Sequence, residues 1–115
     1  NLNELSHCKT RMKWMNRINR KRASINLGGP TFRWVHLCLN AIKALPKIIP
    51  RVETPVLILQ AGKEKIVDNK NLEKLTALFP HAESMLVLQA KHEILFEKDN
   101  VRKAVLERVN QFLHS

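Results

Sequence analysis

A chain of 115 residues has room for one domain with a modest core, which is small for an enzyme with an elaborate pocket. No run approaches the roughly eighteen apolar residues of a membrane span, no signal-peptide pattern opens the sequence, and two cysteines are too few for a disulfide framework. Twenty Lys and Arg against ten Asp and Glu give a net charge of +10, which favours contact with something anionic.

In chain order, residues 2 to 22 are expected as a helix, because Leu5, Cys8, Met12 and Met15 recur at spacings of three and four. The charge excess concentrates there. KTRMKWMNRINRKR, residues 9 to 22, holds seven basic residues and no acid. Such a face suits nucleic acid, a phospholipid surface or an acidic partner, and equally a helix side that only meets water. ASINLGGPT then breaks the periodicity.

A second helix is expected over residues 31 to 45, with Pro30 suited to its start. Arg33, His36, Asn40 and Lys43 form its polar side; Phe32, Trp34, Val35, Cys38, Leu39, Ile42 and Leu45 make an apolar arc wide enough to require cover on more than one side. Cys8 and Cys38 both fall on apolar stripes and are expected as reduced core residues, in a reducing compartment. Residues 46 to 55, with Pro46, Pro50 and Pro55, read as a connector and the clearest internal boundary.

Beyond it the pattern changes. PVLILQ, residues 55 to 60, and SMLVLQ, residues 84 to 89, are short continuous apolar runs of the kind that make strands buried on both faces. Helices are expected at residues 70 to 79 and 100 to 114, the second with Asp99 as N-cap and Val101, Val105, Val109 and Phe112 as its apolar stripe. Strand, helix, strand, helix at this spacing is a βαβα unit with a parallel pair. Two such strands do not complete a sheet. With a first residue, Asn1, that is not methionine, the expectation is the C-terminal piece of a larger α/β protein.

In open parallel sheets, chemistry gathers at the carboxyl ends of the strands. Glu64 lies four residues past the first strand and His92 three past the second. Neighbouring strands are about 5 Å apart, so carboxylate and imidazole can meet above the sheet, leaving one ring nitrogen free as a base. Asp68 competes for the acid role but sits where a helix N-cap is expected. Glu93, beside His92, either tunes its charge or faces water. No Cys/His ligand spacing occurs, so neither a metal nor an organic cofactor is expected.

TPVLILQAGKEKIVDNKN and QAKHEILFEKDNVRKAVL resemble the C-terminal part of the monoacylglycerol-lipase-like α/β-hydrolases, among them the bacterial lysophospholipases of the L-two type. LGGPTFRWV resembles the start of a cap-domain helix in that subgroup. The resemblance implies a helical cap segment at residues 1 to 46 and a βαβα part of the hydrolase core at residues 47 to 115. It puts the triad acid on Glu64, the later acid of the same loop on Asp68, and the catalytic base on His92. It also implies a lysophospholipid or monoacylglycerol-type substrate, and a cytoplasmic protein peripheral to the inner face of a bacterial membrane.

Two departures stand out. Glutamate occupies a position where the family usually has aspartate, one methylene longer, although the triad tolerates either. No Gly-x-Ser-x-Gly occurs: the only glycines are Gly28, Gly29 and Gly62, and Ser6, Ser24, Ser84 and Ser115 lack the context of a nucleophile elbow. The oxyanion-hole segment is missing too, so these residues alone are expected not to hydrolyse esters. The alternative from a different class is a small basic module that binds an anionic membrane or nucleic acid without catalysis. With four Phe, two Trp, no Tyr and no recognised nucleic-acid motif, the nucleic-acid version is the weaker.

Overall fold

The computed structural model describes residues 4–25 and 28–115. In order these form α1 (Lys9–Lys21), α2 (Phe32–Ile48), β1 (Val56–Ala61), α3 (Asn69–Thr76), β2 (Ala82–Val87) and α4 (Asp99–Leu113), with short 3-10 turns between. The two strands run parallel in one sheet, registered from Val56 opposite Ala82 to Ala61 opposite Val87. The expected βαβα unit is therefore present. β2 begins two residues earlier than its apolar run suggests, because all six residues of β1 find a partner.

Each face of this sheet has its own helix. The alternation of a strand sends Leu59, Ala61, Met85 and Val87 to one side, where they meet Val101 and Val105 of α4 together with Ala90 and Ile94. Alanines at 61 and 90 let the helix and loop come close. Val105 and Ala90 are completely buried. On the other side Gln60 donates to Glu73 of α3 at 3.2 Å. α3 is two turns long and leaves Leu86 half exposed, so the strands are not buried on both faces by the described residues.

α3 is capped by Asp68, whose carboxylate accepts from the Lys70 amide at 3.0 Å, and it closes at Thr76 instead of Phe79. There the amides of Leu78 and Phe79 turn back to the carbonyls of Leu75 and Thr76. α4 differs from expectation at its start. Lys98 is the N-cap residue and Asp99 the first helical one, its carboxylate drawn instead to the Arg11 guanidinium.

The N-terminal half departs further. Residues 4 to 8 are not the first turns of α1 but a strap lying along the loop between β2 and α4. The Glu93 amide donates to the Leu5 carbonyl at 2.8 Å, and the Ser6 hydroxyl donates to the Phe96 carbonyl at 2.8 Å while accepting from the Cys8 amide. A serine that bonds its own backbone two residues on competes with helix formation, so the periodic stripe does not become helical until Lys9. The expectation for residues 2 and 3 falls outside the described residues.

α2 begins as expected, with the Thr31 hydroxyl accepting from the Trp34 amide, but it runs through Pro46 to Ile48. Proline removes a single i→i−4 bond, and the Ile49 amide still reaches the Leu45 carbonyl, so the turn holds. No α2 residue is buried; Phe32 is 98% exposed. The cover its apolar arc requires is not supplied among the described residues, and Cys8 and Cys38 are half-buried free thiols outside the core. A radius of gyration of 16.2 Å, against about 13 Å for a closed domain of this length, reflects the same projection.

Candidate active site

The two strands end side by side at Ala61 and Val87, and their departing loops are stitched together at once. The Gly62 amide donates to the Val87 carbonyl at 3.0 Å and the Lys63 amide to the Ala90 carbonyl at 2.8 Å. Gly62 is required here for space. A Cβ on it would stand 2.6 Å from both the Cα and the carbonyl oxygen of Leu88. Asn69 fixes the far end of the first loop, its amide donating to the Ala61 carbonyl at 2.9 Å.

This stitching brings Glu64 and His92 together. Nδ1 of His92 lies 2.7 Å from Oε2 of Glu64. The other carboxylate oxygen curls back over its own loop and accepts from the amides of Lys65 at 2.8 Å, Ile66 at 2.7 Å and, more weakly, Val67 at 3.4 Å. The extra methylene of glutamate is absorbed in that curl. One oxygen anchors the side chain while the other reaches the ring.

The Glu64 side chain is 5% exposed and that of His92 is 32% exposed. Burial opposes charge on Glu64, but the Ile66 amide, the His92 ring and the Lys65 amide outweigh it and hold the carboxyl below its usual range. With the proton on Nδ1, the ring donates to this carboxylate and Nε2 is left as an acceptor. That is the arrangement of a general base held by an acid. Asp68, the competing acid, is spent on the Lys70 amide at the head of α3. Glu93 contributes its backbone to the strap contact, and no side-chain bond links it to His92 among the described residues.

A second carboxylate–imidazole pair lies beside the first and escapes sequence reasoning. Glu97 is 1% exposed, with Oε1 2.9 Å from Nδ1 of His7. It also accepts from the His7 amide at 3.2 and 3.1 Å, the Lys91 amide at 2.9 Å and the Lys98 amide at 3.4 Å. Burial again opposes the charge, and the Lys91 amide with the His7 ring and amide prevails, so this carboxyl too is held low. Nothing local marks it: Glu97 stands in a charged stretch that reads as solvated, and its partner His7 lies ninety positions away.

Comparison with known proteins places these features in context. The family model described as alpha/beta hydrolase fold matches residues 2–99. The chain is 77% identical over 97% of its length to a Haemophilus influenzae protein named probable lysophospholipase L2, and 31% identical over 98% to lysophospholipase L2 of Escherichia coli K12. It spans only 36% and 35% of those two proteins. Its structure superimposes on a soluble variant of monoglyceride lipase from Saccharomyces cerevisiae, solved with a substrate analogue, with a TM-score of 0.80 and 25% identity, covering 99% of this chain and 41% of that one. The sheet with its flanking helices, and a family match over most of the sequence, establish that the chain belongs to the alpha/beta hydrolase fold family.

Proposed function

We propose that this chain supplies the acid and the histidine of a serine hydrolase that cleaves the acyl ester of a lysophospholipid or a related monoacyl lipid. The 2.7 Å contact between Glu64 and His92 at the carboxyl ends of adjacent strands carries the reading. The names of its relatives, lysophospholipases and a monoglyceride lipase, support a lipid substrate.

In this mechanism a serine outside the 115 residues attacks the ester carbonyl as Nε2 of His92 takes its proton. The tetrahedral intermediate collapses, the carbon–oxygen bond to the alcohol breaks, and His92 returns the proton to the departing oxygen. Water then repeats the sequence on the acyl-enzyme, while Glu64 orients the ring and stabilises its positive form. Residues 1 to 46 contribute to the cap and residues 47 to 115 to the core. The protein is cytoplasmic and peripheral to an anionic membrane. Trp14, 58% exposed, stands between Lys13 and Arg17 on an α1 that carries no acid, and each basic residue near such a surface contributes about 1 kcal/mol.

The test compares the intact protein with these residues alone, on a chromogenic short-chain ester. Turnover is expected from the intact protein, to be lost in His92→Ala, with only background from the 115-residue chain. Turnover by the short chain that vanishes in His92→Ala would reveal a nucleophile within it. An intact His92→Ala variant with undiminished turnover would remove the histidine from the mechanism.

A further inference from the structure

We propose that Glu97 is a positioning residue for His92, locking the loop that carries the imidazole by tying it to the strap at residues 4 to 8. The inference rests on the hydrolase reading for its kinetic consequence, and on geometry for the rest. Among the described residues the His92 ring is held by Glu64, at Nδ1, and a ring held at one nitrogen still swings if its backbone is free. The loop between β2 and α4 must therefore be rigid for Nε2 to stay aimed.

What makes it rigid is Glu97. Its carboxylate sits inside the loop and accepts from the amide of Lys91, the residue immediately before His92. The same carboxylate accepts from the backbone and ring of His7, and so fastens the strap across the loop. The strap returns two more bonds, from the Glu93 amide to the Leu5 carbonyl and from the Ser6 hydroxyl to the Phe96 carbonyl. His92 is thus bracketed on both sides, at residues 91 and 93, by bonds that depend on Glu97 and the strap. Arg11 adds a bond to the Glu97 carbonyl at 2.7 Å, fixing α1 to the end of the same loop.

The chemistry of the group fits this task. A buried carboxylate accepts from several donors at once, which neither an amide nor a hydroxyl can match. Glu97→Gln keeps the shape but replaces one acceptor oxygen with a donor NH2 that faces other donors. His7→Ala is gentler, removing the ring contact while leaving the backbone amides on the carboxylate.

The experiment measures both variants in the intact protein, as kcat and KM on a monoacyl ester per folded molecule, alongside the low-field proton resonance of His92 Nδ1–H. Glu97→Gln is expected to lower kcat by about 10- to 100-fold, as misplacing a catalytic group by up to an ångström does. KM should stay within about twofold, and the Nδ1 proton signal should broaden or disappear. His7→Ala should move both readouts the same way by a smaller factor, and it decides the matter if Glu97→Gln does not fold. Unchanged kcat and an unchanged resonance in folded variants would overturn the proposal, as would a rise in KM with kcat intact. Absence of ester turnover in the unmodified protein would instead sink the hydrolase reading, while the resonance would still decide whether Glu97 positions His92.

Discussion

Gly62→Ala is expected to disable the proposed site without altering either Glu64 or His92. The added Cβ would stand 2.6 Å from two backbone atoms of Leu88, about 0.9 Å short of the ~3.5 Å at which carbon atoms pack comfortably. Backbone cannot swing aside as the tip of a lysine can, so the two strand ends must part. If that displacement passes to the loops, the 2.7 Å contact between Glu64 and His92 lengthens to about 3.6 Å, where it is no longer a hydrogen bond. Overpacking of this kind costs about 1–3 kcal/mol of stability. An ångström of misplacement costs about 100-fold in rate, equivalent to about 2.7 kcal/mol of barrier. Thermal unfolding and kcat on a chromogenic ester, both measured on the intact protein, read the two effects. Gly29→Ala serves as a control, because among the described residues, its chain neighbours aside, a Cβ there would meet no atom within 4 Å; it should change stability by no more than about 0.5 kcal/mol. A Gly62→Ala protein with unaltered stability and kcat would refute the claim that this close approach sets the spacing of the site.

The two acids of the first loop should separate cleanly. Glu64→Gln in the intact protein is expected to lower kcat by about 10⁴-fold, the loss seen when a triad acid ceases to fix its histidine, whereas Asp68→Ala should cost about 1 kcal/mol of stability and leave kcat nearly unchanged. The reverse pattern would transfer the acid role to Asp68. Glu64 and Glu97 both have native carboxyl pKa values below the ordinary 4.5, so their charged forms stabilise the fold. That contribution is complete above 4.5 and is lost as pH falls through the lowered native values; denaturant titrations from pH 7 downward should show the decline, with a shallower acid limb in Glu97→Gln. An identical limb in that variant would mean the buried carboxylate is not stabilising. Thr31→Ala should cost about 1 kcal/mol at the head of α2 and speed hydrogen exchange at the Trp34 amide, which loses its acceptor. Unchanged exchange there would show that the cap is idle.

The parts legible in the sequence were those encoded within a few residues. Two apolar runs of strand length, an aspartate at a helix head and polar loops at strand ends were enough to place β1, β2, α3 and the meeting of Glu64 with His92. Boundaries moved where a partner outvoted the local pattern: β2 began at Ala82 because β1 had a residue to pair there, and α2 crossed Pro46 because the bond beyond it survived. The strap was illegible for a different reason. Leu5 and Cys8 share a helical stripe with Met12, yet the bonds from Ser6 and His7 go to residues 96 and 97, and no window along the chain contains both ends. Glu97 was hidden by the same separation, since a buried acid and a solvated one look alike until the histidine that covers it is located.

That separation also sets an order of assembly. Joining His7 to Glu97 closes a loop of ninety residues, at an entropic cost of about 4 kcal/mol before any contact repays it. On a ribosome adding about 5–20 residues per second, the strap emerges roughly 5–18 s before the glutamate that receives it. α1, with its exposed basic side, therefore spends that interval without its anchor, available to chaperones or proteases. The loop that carries His92 is clasped only after residue 97 has been made, so the geometry of the Glu64–His92 pair is among the last features of this chain to form, and an interrupted product carrying both residues would still lack the clasp proposed to hold them in register.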